Sequence, residues 1–292
     1  VVCGDVINDV LVKPLGGITS GSDTPAAIRA CPGGAAANQA AWIAHLGTEV
    51  TFAGRVGAGD AEYHRRELAR AGVSAYLAAD SEAGTGSIVI MVTRNGERTM
   101  FTDRGANLHL RRSDVPAALL DGAAALHLTG YTFFEPRLLE VALFLLDEAR
   151  SRELAVTIDP GSAAFLARME PGAFLGWTEG AAVCFPNRDE GAVLTGESDP
   201  VTMAVRLTRH YRAVVLKLGG EGCVLAVAGE APVHVAASPV DVTDTTGAGD
   251  AFCGAFISRW LASGPAPDLV GAAEFAVRIA GTVVTRFGAR PV

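Results

Sequence analysis

The sequence predicts an α/β protein with a largely parallel sheet, helices on both of its faces, and a small β sheet set over it as a lid. Three observations carry this expectation. Apolar runs of strand length alternate with stretches of helical period along most of the 292 residues, the pattern of repeated βαβ units. Asn95-Gly96 sits between 87–93 and 98–101, and this dipeptide is a strong two-residue hairpin signal because both turn positions need positive φ. A βαβ crossover cannot contain such a hairpin. Finally, 49% hydrophobic and 19% charged residues with 34 glycines suit a buried core joined by tight turns and oppose disorder.

In chain order, Val1-Val2-Cys3 reads as a strand and 35–46 as an Ala-rich helix stopped by Gly47. Residues 50–53 read as a strand and 61–71 as a helix ending at Gly72. The alternation resumes with strands at 125–128, 155–158, 183–185 and 214–218, and helices at 136–150 and 201–210. Two strong helices, 251–262 and 269–284, close the chain. The hairpin, together with 10–15 and 27–31, forms the expected lid, so segments of about 10–31 and 85–104 are inserted on one α/β unit spanning 1–292. Large α/β layers reach this length as a single domain.

The formal charge of −8 and the scatter of basic residues (Arg65-Arg66 and Arg111-Arg112 among them) oppose nucleic-acid binding, which needs a basic face. No apolar run reaches the roughly 18 residues of a membrane span. Gly4 and Asp5 interrupt the apolar start, so no leader peptide is expected, and native residues ahead of Val1 are. The five isolated cysteines, without a C-x-x-C pair, are expected to be free buried thiols of a reducing, cytoplasmic setting. The six scattered histidines are given no role. There is no G-x-x-x-x-G-K-[ST], and Gly247-x-Gly249 continues to Phe252, so P-loop and dinucleotide fingerprints are absent.

The chemistry concentrates at Asp244-Thr245-Thr246-Gly247-Ala248-Gly249-Asp250, just ahead of an apolar helix. Small residues at 247–249 let a ligand approach the backbone, and amides at a helix start form an anion site. Asp250 in that place is either an N-capping carboxylate or a base that takes a hydroxyl proton beside a phosphoryl group.

Here the chain resembles the ribokinase, or PfkB, family of carbohydrate kinases. The family's D-T-x-G-A-G-D motif is met by Asp244, Thr245, Gly247, Ala248, Gly249 and Asp250. Its N-terminal motif, a Gly-Gly pair entering a helix with Asn four residues on, is met by Gly33, Gly34 and Asn38. The likeness runs from Gly4 to about Pro291. It implies the ribokinase-like three-layer α/β/α sandwich and ATP-dependent phosphorylation of a hydroxymethyl group. By the same likeness Asp250 is the catalytic base, and Gly247, Ala248 and Gly249 are the anion hole. Asp9, matched to an Asp at the end of the first strand, joins Gly33, Gly34, Asn38 and Asn107 in binding substrate. Asn187 and Glu190 match N-x-x-E and place magnesium and its waters. Lys217, Gly219 and Gly222 fall on the nucleotide side. Asp244 and Thr246, with carbonyls near Val283, Arg286 and Gly288, resemble a site for K+ or another monovalent cation.

Departures blur the substrate. Ala35 stands where ribokinase itself carries Lys, Asp159-Pro160-Gly161-Ser162-Ala163 lacks the Arg of several sugar-acid kinases, and Lys217 replaces a frequent Thr. A nucleoside kinase remains open, its purine cradled by Phe101, Phe133 or Phe134, as does a non-catalytic sugar sensor. A homodimer through the lid is the partner implied by the hairpin's apolar residues Ile88, Ile90, Val92, Met100 and Phe101.

Overall fold

The structure is a computed structural model that describes residues 1–92, 98–264 and 266–291. The main sheet takes strands β1 (Val2–Cys3), β4 (Thr51–Gly57), β5 (Ser74–Asp80), β8 (Ala125–Thr129), β9 (Ala155–Asp159), β10 (Val183–Cys184), β11 (Ala213–Lys217), β12 (Cys223–Val227) and β13 (Val233–Val235). A second sheet takes β2 (Ile7–Pro14), β3 (Ala26–Gly33), β6 (Thr85–Val92) and β7 (Arg98–Gly105). The helices are α1 (Ala35–His45), α2 (Ala61–Arg70), α3 (Pro136–Ser151), α4 (Ala163–Leu166), α5 (Pro171–Thr178), α6 (Arg188–Thr195), α7 (Pro200–Leu207), α8 (Ala248–Ala262) and α9 (Leu269–Val283).

The large sheet runs β13-β12-β11-β10-β9-β8-β1-β4-β5. It is parallel from β11 to β5, and antiparallel pairing of β11 with β12 and β12 with β13 closes one edge. Strands buried on both faces need apolar residues at every position, and β11 with Val214, Val215 and Leu216 meets that need. Leu126, Leu128, Ile158, Val214 and Leu216 face one core shared with α3, α6 and α7. Val2, Phe52, Val183 and Val215 face the other, shared with α1, α2, α8 and α9. β1 lies between β4 and β8, so the chain reverses its winding there, and the crevice beyond the strand ends at such a point is where ligands bind in open α/β sheets.

The small sheet has the order β3-β2-β6-β7. The hairpin strands therefore belong to a separate sheet, which starts at Ile7, ahead of the expected 10. The Asn95-Gly96 turn lies outside the described residues. Register sorts the side chains into two faces. Asp9 pairs with Cys31 and Ile88, and Leu11 with Ile90, which in turn pairs with Met100. Val10, Val89 and Phe101 stand on the opposite face. Met100 and Phe101 thus point apart and do not form one apolar set.

Candidate active site

Asp250 lies in the first turn of α8, which begins with Gly247 at φ 76° and no side-chain cap. A Cβ at Gly247 would come within 2.4 Å of Ala289 Cα, so only glycine admits both that φ and that approach. No side chain caps the amides of this turn, although Ala248 N donates to Thr245 O at 3.3 Å, and the positive end of the helix stands behind them. Burial pushes the Asp250 carboxyl up to about 7, with the Asp159 charge adding to it and hydrogen bonds from Asn38 and Gln39 opposing it.

The Gly33-Gly34 turn brings α1 to the same place. Gly34 has φ 95°, and a Cβ there would lie 2.5 Å from the Asp5 carbonyl oxygen. Asp5, missed in the sequence, holds the helix start: its two carboxylate oxygens accept from Ala35 N and Ala36 N at 3.2 Å. Asn38 Nδ2 then donates to Asp250 Oδ2 at 3.0 Å. Gln39, also unforeseen, donates from Nε2 to Asp250 Oδ1 at 3.1 Å and to Asp159 Oδ2 at 2.7 Å.

Asp159 and Lys217 end β9 and β11 and pair at 3.0 Å. Lys217 reaches toward the start of α8, its Nζ 3.8 Å from where a Gly249 Cβ would stand, so it lies close to the Gly247–Gly249 turn as well as to the Gly219–Gly222 loop. Beside it, Gly219, Gly222, Val240, Val242, Phe252 and Ala280 help line a mostly apolar cavity of about 210 Å³. Gly222, at φ 94°, leaves no room for a Cβ, which would sit 2.0 Å from Val235 O.

Asp9 is not at the end of β1, as its matching implied. It stands inside β2, in the small sheet, because the chain turns out of the main sheet after Cys3. It is buried, against Gly33. Burial and then the Asp5 charge push its carboxyl up to about 7, with Arg290 opposing. Asn107 proves to be a strap: Nδ2 donates to Val6 O and Arg104 O, and Oδ1 accepts from Val6 N, so its donors are spent on tying the end of β7 to β2.

Asn187 caps α6, and Glu190 closes a reciprocal capping box with it. Glu190 is buried, not on an exposed helix face, and burial pushes its carboxyl up to about 7 against the pull of Lys217. Around Asp244, Oδ1 accepts from Thr246 N and Oγ1 at 2.9 and 2.6 Å, and Gly288 N lies 3.4 Å from Oδ2. The Val283 carbonyl accepts from Arg286 N, while Val284 O accepts from Thr243 N and Asp244 N. The Arg286 guanidinium lies over Trp42. Of the aromatic residues considered for a purine cradle, Phe133 is buried against Phe174 and Trp177 and Phe134 stacks on Phe165.

A carboxylate in the first turn of a helix, with a lysine near that turn and an apolar cavity alongside, is an arrangement suited to phosphoryl transfer between small molecules. The chain belongs to the pfkB family of carbohydrate kinases, whose family model matches residues 1–292. It is 25% identical over 271 residues to the ribokinase of Staphylococcus aureus (strain COL), covering 90% of this chain and 84% of that protein. It is 28% identical over 273 residues to the fructokinase of Klebsiella pneumoniae, covering 90% and 84%. The fold matches the adenosine kinase from Sinorhizobium meliloti with a TM-score of 0.88 at 24% identity, covering 99% of this chain and 94% of that one. A protein described as a ribokinase II from E. coli, in complex with ATP and Mg2+, matches with a TM-score of 0.86 at 23% identity, covering 98% and 92%. The architecture is thus the ribokinase-like α/β fold. Nothing supports the non-catalytic sensor.

Proposed function

We propose that the protein transfers the γ-phosphoryl group of ATP to a hydroxymethyl group of a sugar or sugar-like molecule. The observation that carries this reading is Asp250, a carboxyl pushed up to about 7 beside uncapped helix-start amides. A base near neutrality takes the hydroxyl proton as the substrate oxygen bonds to the γ-phosphorus and the bond to the bridging oxygen of ADP breaks. The Gly247–Gly249 amides and the Lys217 ammonium meet the charge on the transferring oxygens. Asp9 and the Gly33-Gly34 turn hold the sugar, and the apolar cavity beside Gly219 and Gly222 suits an adenine ring.

The ATP–Mg2+ complex of the E. coli relative supports nucleotide and magnesium here. The donor set fits that hard cation: the Glu190 oxygens each accept a single bond from Asn187 and keep lone pairs for metal-bound water. Bound with the nucleotide, magnesium would neutralise phosphate charge, and Asn187 and Glu190 would hold it through its hydration shell. By the family resemblance, Asp244 and Thr246, with carbonyls near Val283, Arg286 and Gly288, would hold a monovalent cation. Among the described residues no helix is long and apolar enough to cross a membrane; a cytoplasmic setting, where ATP is supplied, is part of the same proposal. The burial of Phe133 and the stacking of Phe134 favour a sugar over a nucleoside.

ATP consumption measured with ribose, fructose and adenosine, with Asp250→Asn as control, tests the reading. Turnover on a sugar that the variant abolishes is expected. Turnover on adenosine alone would move the substrate to the nucleosides, and ATP consumption untouched by the variant would remove the base.

A further inference from the structure

Both oxygens of Asp250 accept from amides, and behind each amide stands a second donor. Asn38 Nδ2 holds Oδ2, while Asn38 Oδ1 accepts from Arg290 Nε at 3.0 Å. Gln39 Nε2 holds Oδ1, while Gln39 Oε1 accepts from His127 Nε2. Arg290 is itself anchored by donating to Gly33 O at 3.1 Å. His127 is a register partner of Thr157 across β8 and β9, and Thr157 Oγ1 lies 2.8 Å from its Nδ1. Neither strand position is apolar, although both face the core beneath α1.

An amide carries a donor at one end and an acceptor at the other. A half-turn of Gln39 would set an oxygen against Asp159 and Asp250 together, and a half-turn of Asn38 would set one against Asp250. We propose that His127 and Arg290 are positioning residues for the catalytic base: by donating to the two amide oxygens they lock both amide nitrogens onto Asp250. The proposal rests on the reading of Asp250 as the base.

The chemistry of the relay settles its direction. Gln39 Oε1 can only accept, so His127 Nε2 carries the proton. Nδ1 of a neutral ring is then an acceptor, and Thr157 donates to it. Burial holds His127 down to about 4, with the Asp159 charge opposing and the Val1 ammonium and Lys217 adding to the fall. The ring therefore stays neutral, and its donor fixed, wherever the enzyme would work. The charged or titratable groups that act on Asp250 are Asp159 on β9, Asp5 after β1, Tyr131 after β8 and Cys253 on its own helix, with Lys217 on β11 and Glu190 on α6 facing Cys253 in turn. None of these supplies a donor to its oxygens among the hydrogen bonds of the described residues, which leaves the two amides as the side-chain donors that oppose burial and the Asp159 charge.

The test is NMR on the full chain. In the wild type, nitrogen-15 signals of His127 should show a single neutral Nε2–H tautomer that does not titrate between about pH 5 and 8. An Nδ1–H tautomer, or titration in that range, overturns the proposal. The carboxyl carbon-13 signal of Asp250, assigned by its loss in Asp250→Asn, reads the consequence. Its midpoint should stay in place in His127→Gln, which keeps a donor, and rise by about one unit in His127→Met and in Arg290→Met. Unmoved midpoints in both Met variants also overturn it. Should His127→Met fail to fold, Thr157→Val serves, because losing the donor to Nδ1 should leave His127 in a mixture of tautomers; a single unchanged tautomer would count against the relay. Normal turnover by Asp250→Asn would instead sink the base assignment, whatever the amides do.

Discussion

Lys217 Nζ lies 3.0 Å from Asp159 Oδ1, joining the ends of β11 and β9 across β10, the strand between them. Burial is the largest single influence on the Lys217 charge and works against it, but the Asp159 carboxylate together with Cys253 and Glu190 outweighs it and holds the lysine above its ordinary value. Removing one partner of a buried pair strands the other charge. Lys217→Met should therefore cost about 3–5 kcal/mol of stability, read by chemical denaturation. The double variant Lys217→Met, Asp159→Leu should recover most of that loss yet remain without turnover. Recovered turnover would show that the pair is structural only.

Asp250→Asn should lower kcat by roughly 10²–10⁴ while the affinity for ATP persists. Stability should move the other way. The folded carboxyl sits at about 7 against an ordinary 3.8, so the folded chain keeps a proton that the unfolded chain releases. That burden is absent below about 4, grows as pH rises to about 7, and is constant beyond. The Tm difference between variant and wild type should widen in the variant's favour across that window. Parallel Tm curves would mean that the carboxyl titrates normally.

The legible parts of this molecule were those that short runs of sequence determine alone. Gly34 and Gly247 announce their turns because a positive φ and a close approach demand glycine at the position itself. Strand–helix alternation exposed the parallel sheet, and Asn95-Gly96 separated the small one. What stayed hidden depends on register and distance. His127 and Thr157 meet only because β8 pairs with β9, and Arg290 reaches Asn38 from 252 residues away. Gln39 stood beside Asn38 in full view, but an amide between two carboxylates is visible only once α1 lies across the ends of β8 and β9. Asp9 was seen but placed on the wrong strand, since nothing local marks where the chain leaves the main sheet.

Asp9 should make sugar affinity depend on pH. Its carboxyl sits at about 7 through burial and the Asp5 charge, and only the ionised form accepts hydroxyl hydrogen bonds at both oxygens. Calorimetry should show binding weaken as pH falls through that value. Asp9→Ala should lose about 2–3 kcal/mol of sugar binding at pH 8 and show little pH dependence, with nucleotide binding intact. Equal losses for both ligands would point to misfolding.

Glu190→Gln keeps a side chain that can cap α6 but removes the charge. The magnesium concentration for half-maximal rate should rise, with Tm little changed. An unaltered magnesium dependence would leave Glu190 as a helix cap and nothing more.

The small sheet makes two predictions that one experiment separates. Its Asp9 face carries buried Ile90 beside exposed Met100, whereas the opposite face gathers Ile28, 68% exposed, and Phe101, 58% exposed, beside Val89. An exposed apolar patch on a sheet marks a surface awaiting a partner, and we infer that a second copy of this chain covers it while the Asp9 face closes over substrate. Hydrogen exchange across 85–104 should then slow on two separate axes. Adding sugar should protect the strands because closure orders a weakly held element, and raising protein concentration should protect them again by pairing the outer faces. Phe101→Asp places a charge in the outer face alone. It should abolish the concentration dependence, leave the substrate dependence, and shift sedimentation to the monomer. Concentration-independent exchange in the wild type would remove the dimer. Strong protection under every condition would make the small sheet a fixed wall of the site, and the lid would be wrong.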